Sequence, residues 1–398
     1  MKGMVRSGIG AMLLIVMSIC LVFTACVGLS SAAEPIKLGC TLAITGWAGF
    51  IGTHQREMYL AMIDDINSNG GVNGRPLELY YEDDQSNPTN AVVAATKLIK
   101  DKKVLAIVGT SIQDSAFAMV PISENEETVF INTGPADLPI NKKWVFSVGP
   151  GNERAAVRLM EMVAKDFGAK HIAILTGTNA YGMMGQKVFN REISKYPGAS
   201  IVIQESFNLN DTSMIPQLMK IKRANVDALI LFTEGTPGSI IAKNYKQLGM
   251  DVQIFGSDAL TTPENIKISG NLLEEEKWIF LGQPMMIVDK LAPDDPFRKD
   301  VYEPALKIMQ KKYGPQQQVT LFHASIYDCM IGTVEALKIA GPNVTRASFR
   351  DALEKVNIPT SFLGGFAPTP TNHQVAPRAV MRPMVFRNGA FWPYEKDK

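Results

Sequence analysis

The sequence predicts an α/β protein built as two doubly wound parallel-sheet lobes, and three observations carry that expectation. First, short β-rich runs alternate with amphipathic stretches from Ile36 onward, the pattern of right-handed βαβ crossovers in sheets covered on both faces. Second, the series breaks and restarts at "FSVGPGNERAA", where Gly149, Pro150 and Gly151 mark a crossing between lobes. Third, after a further break at "FLGQPMMIVDKLAPDDP", helical stretches at 294–312 and 320–340 are too long and too late for the second series. The chain is therefore expected to return to the first lobe, making both domains discontinuous. The expected division is 34–150 with 285–378 for lobe one, and 151–284 with 379–398 for lobe two.

Residues 1–33 stand outside that scheme. Lys2 and Arg6 precede an apolar run from Ala11 to Phe23, followed by the small and polar "TACVGLSSAAEP". This is the layout of a secretory signal peptide, and the apolar run is short for a membrane span. Two cleavage readings stand side by side. "SAA" before Glu34 gives a soluble periplasmic product, whereas "FTAC", ending at Cys26, resembles a lipobox with Phe in place of the usual Leu and gives a lipid-anchored one. The remainder of the 398 residues suits two domains at about 150 residues each.

Composition narrows the function. Lys and Arg number 40 against 39 Asp and Glu, with no basic block, so nucleic acid is not an expected partner. Beyond the leader only Cys40 and Cys329 remain, both in apolar contexts that read as packed thiols rather than a disulfide. Without a Cys/His cluster or H-E-x-x-H there is no expected metal, and no cofactor motif is present: "GMMGQK" lacks Walker A spacing and no G-x-G-x-x-G follows the first strand. G-x-S-x-G is missing too, and "EDD" at 82–84 reads as a solvated strand end, so the chain is not expected to be an enzyme.

The elements follow in order. "IKLGCTLAI" is a buried strand, and "HQREMYLAMIDDINSN" a helix with Met58, Ala61, Met62 and Ile66 on one stripe. The glycine-rich elbow "NGGVNG" ends it, "PLELYYED" forms the second strand, and Asn87 with Pro88 caps and starts the next helix. Strand and helix then recur as "VLAIVG" and "DSAFAMVPISENE", "TVFIN" and a loop, "HIAIL" and "GMMGQKVFNREISKY", "SIVIQESF" and "TSMIPQLMKIKRA", "DALILF" and "PGSIIAKNYKQLG", and "VQIFGS" and "PENIKIS".

Ligands of such sheets bind beyond the carboxyl ends of the strands. The loops there are rich in Gly, Ser and Thr, a composition suited to a small polar molecule. In "GTSIQDS", Thr110, Ser111, Gln113 and backbone N–H groups could cradle a carboxylate, the alternative being helix capping by Asp114 or Ser115. Trp47 and Tyr181 sit in glycine-flanked loops as candidate ligand covers, or as packing residues. Glu234 and Asp258 close strands of lobe two, placed to meet an ammonium or hydroxyl group, or to cap helices.

The motifs "ITGWAGFIG", "MIDDINSNGGVNGRPLELYYEDDQSNP", "IVGTSIQDSAFAMVPISENEETVFINTGP", "NAYGMMGQ" and "FGSDAL" resemble the leucine/isoleucine/valine-binding protein family, the type I periplasmic solute-binding proteins of ABC transporters, over essentially all of the chain after residue 33. The resemblance implies two lobes joined by three hinge crossings, closing on a ligand that a membrane permease then receives. It implies a carboxylate held by the loops "GTSIQDS" and "NTGPAD", which hold Ser111, Gln113, Thr133, Gly134 and Ala136, with Tyr181 and Asp258 opposite on the amino group. Gln113 stands where the family usually has Ser, Ala136 where it has Thr, and Glu234 near a usual aromatic. A disulfide of some members has no counterpart at Asp84–Asn87 and Ile112. The expected function is capture of a small amino acid or related carboxylate, aromatic or aliphatic, as a monomeric extracytoplasmic subunit of an importer. The alternative is a stand-alone sensor signalling to a membrane receptor.

Overall fold

The computed structural model describes residues 33–139, 141–149, 151–233, 237–261, 263–273, 277–375 and 380–395. The first sheet is built from β1 (Ile36–Leu42), β2 (Leu77–Asp83), β3 (Ala106–Val108), β4 (Val129–Asn132) and β5 (Val145–Ser147). Among the described residues its order is β2-β1-β3-β4-β5, parallel throughout. Strands β1, β3, β4 and β5 are almost wholly buried, as a sheet covered on both faces requires, whereas the edge strand β2 carries Glu78, Glu82 and Asp83 and is only partly buried. Helices α1 (Gly49–Ser68), α2 (Pro88–Lys100) and α3 (Gln113–Asn125) make the crossovers.

The local signals act where they are written. Asn87 Oδ1 accepts the N–H groups of Thr89 and Asn90 at 2.8 and 3.3 Å, starting α2 at Pro88. In the elbow after α1, Gly71 has φ of 72°, and a Cβ there would lie 2.1 Å from the Arg75 carbonyl oxygen. Only glycine permits that turn.

The second sheet holds β6 (His171–Gly177), β7 (Ser200–Phe207), β8 (Ala228–Phe232), β9 (Gln253–Gly256) and β10 (Trp278–Gly282), in the parallel order β7-β6-β8-β9-β10. The two sheets therefore repeat one topology. Helices α4 (Asn152–Glu161), α5 (Ala180–Glu192), α6 (Ile215–Arg223), α7 (Pro237–Gln247) and α8 (Pro263–Ser269) accompany the second one. At its edge β11 (Arg382–Arg387) and β12 (Ala390–Pro393) add an antiparallel hairpin that an all-parallel reading does not anticipate. Its turn is Asn388-Gly389, with φ of 52° and 76°, the residue pair suited to a two-residue hairpin loop.

Between β10 and β11 the chain returns to the first sheet through α9 (Glu303–Tyr313), α10 (Leu321–Ala340) and α11 (Arg346–Leu353). Lys311 Nζ meets Asp65 at 2.7 Å, and Tyr313 Oη donates to the Glu57 carbonyl, both on α1. Arg346 binds the carbonyls of Ile99, Val104 and Glu126. Residues 373–375 run beside β5, where Ser147 N–H donates to the His373 carbonyl and Val375 N–H to that of Ser147, both at 3.0 Å. Three stretches of chain thus join the two lobes: one after β5, one after β10 and one before β11.

Candidate functional site: the cleft between the lobes

In both sheets the strand order reverses beside the first strand, between β1 and β3 and between β6 and β8. The rule for open parallel sheets puts a ligand crevice there, beyond the carboxyl ends. A cavity of about 550 Å³ lies between the lobes at these ends. Pro135, Leu321 and Phe322 line it from lobe one, Asn152, Asp258 and Thr261 from lobe two, and Gln283, Met285, Met286 and Met381 from the connecting stretches. A second cavity of about 110 Å³ shares Pro135, Leu321 and Phe322 and extends into lobe one between Gln55, Ser111, Thr133 and Ser325.

Side-chain bonds knit the loops of lobe one. Ser111 Oγ accepts the Ala43 N–H at 3.0 Å and donates to Gln55 Oε1 at 2.6 Å, joining the loops after β1 and β3 to α1. Thr133 Oγ1 donates to the Thr110 carbonyl at 2.8 Å and accepts the Thr110 N–H at 3.2 Å. Asn132 holds the next turn, its Oδ1 accepting the Gly134 N–H and its Nδ2 donating to the Gly134 carbonyl. No side chain caps α3: its N-cap is Ile112, and Ser115 Oγ donates to Asp84 Oδ2 at 3.0 Å instead. The capping alternative for this loop is thereby removed.

The "EDD" run is not a solvated strand end. Asp83 accepts the N–H groups of Ile44, Thr45 and Gln85 and the Thr45 hydroxyl, fixing the loop that carries Trp47. Burial alone would raise its pKa, but these bonds outweigh burial and hold it below the ordinary value. Glu82 pairs with Lys97 at 2.8 Å, and Asp84 is fully buried.

The wall from α10 is fixed by a capping box. Thr320 N–H donates to His323 Nδ1 at 2.9 Å, and His323 Nε2 lies 3.2 Å from Glu57 Oε2. Burial pushes the His323 pKa down to about 4, against the pull of Glu57, so the ring stays neutral and can accept at Nδ1. This sets Leu321 and Phe322 at the mouth of both cavities, with Phe322 edge-on to Phe50 at 5.4 Å.

Of the sequence candidates, Ser111 and Thr133 line the smaller cavity and Asp258 the larger. Gly134 and Ala136 flank Pro135, which lines both, while the Ala136 side chain packs in the core of lobe one. Trp47 is 72% exposed, Gln113 is exposed at the start of α3, and neither lines these cavities. Tyr181 stacks on Phe232 at 4.2 Å and 10°, also away from both. Glu234 lies outside the described residues.

Asp258 begins a short 3-10 turn. Burial pushes its carboxyl up to about 6, partly offset by the backbone N–H groups of Ala259 and its own residue. Where the chain crosses after β5, Arg154 donates to the Gly149 carbonyl at 2.5 Å, and burial lowers its pKa to about 10 against the opposing charge of Asp137. Gly151 leaves room for this pair, since a Cβ there would lie 2.5 Å from Asp137 Oδ1. Sequence reasoning singled out neither Arg154 nor Phe322, Met285, Met286 and Gln55.

Comparison with known proteins agrees with this architecture. A solved structure from Rhodospirillum rubrum, assigned to a branched-chain amino acid ABC transporter, superposes with a TM-score of 0.77 at 21% identity over 90% of this chain and 100% of that one. An extracellular ligand-binding receptor from Rhodopseudomonas palustris HaA2 superposes with a TM-score of 0.67 at 25% identity, over 90% of this chain and 99% of that one. The leucine-, isoleucine-, valine-, threonine- and alanine-binding protein of Pseudomonas aeruginosa is 28% identical over 249 residues, 62% of this chain and 66% of that protein. Residues 35–389 match the family profile described as periplasmic binding protein. With two parallel sheets of one topology facing each other across a cleft, the chain belongs to the periplasmic binding protein family.

Proposed function

We propose that this protein is the extracytoplasmic substrate-binding subunit of an ABC importer, taking an amino acid or related carboxylate into the cleft and delivering it to a membrane permease. The carrying observation is the 550 Å³ cavity with Asp258 on one lobe and Phe322 on the other. Its size lies within the range of about 300 to 1,000 Å³ typical of small-molecule sites. A ligand touching both walls stabilises the closed arrangement only through contacts absent when the lobes separate.

In this reading lobe one comprises 34–150 and 285–378, lobe two comprises 151–284 and 379–398, and residues 1–33 are an export signal. Ser111 and Thr133, with the backbone of Gly134 and Ala136 around Pro135, form the carboxylate side, and Gln113, which lines neither cavity in this arrangement, would reach it only on closure. Asp258 forms the amine side, and Tyr181 and Trp47, which line neither cavity in this arrangement, would join the site only as the lobes approach; Glu234 lies outside the described residues. The name of the Pseudomonas aeruginosa relative supports amino acids as the first ligands to try. The role is capture rather than catalysis.

A thermal-shift screen of the protein against amino acids, their amides, and aliphatic and aromatic acids tests the reading, because a ligand of the native state raises its melting temperature. A concentration-dependent rise with any of these supports it. No rise across the panel contradicts it.

A further inference from the structure

Gln55 is 2% exposed on α1 and lines the 110 Å³ cavity. Its Oε1 accepts the Ser111 hydroxyl at 2.6 Å, which fixes the amide with Nε2 as its remaining polar end. Among the described residues that Nε2 donates no hydrogen bond, and it is not sealed in the protein but open to the cavity that Gln55 lines, where an acceptor could reach it. The cavity around it is lined by no charged side chain, and its other polar side chains, Ser111, Thr133 and Ser325, are already engaged with protein partners. The space suits a few waters or one small polar group, taking about 30 Å³ per water.

We infer that Gln55 is a specificity-determining residue, whose amide Nε2–H binds an acceptor oxygen at the end of the ligand that enters lobe one. The ligand is then a carboxylic acid or carboxamide, its oxygen in the small cavity and its remainder passing Phe322 into the larger one. Gln55 thus selects for an oxygen acceptor, while the methionines and Phe322 accommodate the apolar part. The inference rests on the proposed reading of the cleft as the ligand site.

The test uses two variants and the same panel of acids and amides, titrated by calorimetry. Gln55→Leu removes both ends of the amide and should weaken every panel member that binds the wild type by about ten- to a hundred-fold. Gln55→Glu keeps an acceptor for the Ser111 hydroxyl but replaces the N–H donor by a carboxylate. It should weaken acids more than Gln55→Leu does, and amides less than acids. Recovery of acid binding in Gln55→Glu would show that Gln55 serves only to position Ser111, overturning the inference. Equal affinity of Gln55→Leu and wild type would overturn it as well, leaving the importer reading intact. If no panel member binds the wild type, both fall together.

Discussion

Asp328 of α10 accepts three hydrogen bonds from one loop: the Ser361 hydroxyl at 2.6 Å, the Phe362 N–H at 3.0 Å and the Leu363 N–H at 2.8 Å. The carboxylate is fully buried, and the loop it holds delivers Leu363 to the smaller cavity. A buried acid of α10 thus fixes the loop that lines one end of the proposed ligand site.

Replacing Asp328 by Ala is expected to leave three donors without an acceptor and to destabilise the fold by about 3 kcal/mol or more, measured by urea unfolding. Burial raises the Asp328 pKa from its ordinary 3.8 to about 7, the three hydrogen bonds only partly opposing it. Between those values the folded state keeps a proton that the unfolded state releases. This group's contribution is therefore greatest below pH 3.8 and is lost as pH rises through 7. Asp328→Asn should lack that pH dependence. An unchanged profile in Asp328→Asn would contradict the assignment.

Asp258→Asn tests the proposed amine partner. For a ligand carrying an ammonium group the loss should be about 2 to 5 kcal/mol, with ligands lacking an amine much less affected. Because the free carboxyl titrates at about 6, wild-type affinity for such a ligand should be weaker at pH 5 than at pH 7.5. The variant should show no such difference by calorimetry. Equal losses for amine and non-amine ligands would count against the pairing.

Gly332 sits in α10, where helix propensity alone favours Ala by about 1 kcal/mol. A Cβ there would lie 2.2 Å from the Phe366 ring. Overpacking should win, so Gly332→Ala is expected to lower stability by about 1 to 3 kcal/mol. A rise in the denaturation midpoint would contradict that packing.

Much of this was legible in the sequence because it is local. The strand and helix alternation, the Asn87 and Pro88 start of α2 and the late helices returning to lobe one are all written in short-range patterns. The Asn388-Gly389 hairpin was equally local, since the pair lies between two apolar runs, yet it is obscured when every strand is read as parallel. Phe322 and Gln55 were not legible. Each lies inside a helical stretch where its type suits core or surface alike, and only the packing of α10 on α1 brings them to one cavity. The role of Asp83 was hidden likewise, because its partners Ile44 and Thr45 lie almost forty residues earlier in the chain.

The central claim is that a ligand held between the lobes draws them together, and small-angle scattering of the protein with and without its tightest-binding panel member tests it most directly. Hinge closure of this kind should reduce the radius of gyration at saturating ligand, and the midpoint of that change should move to higher ligand concentration in Asp258→Asn. Saturating binding with an unchanged radius of gyration would contradict the account.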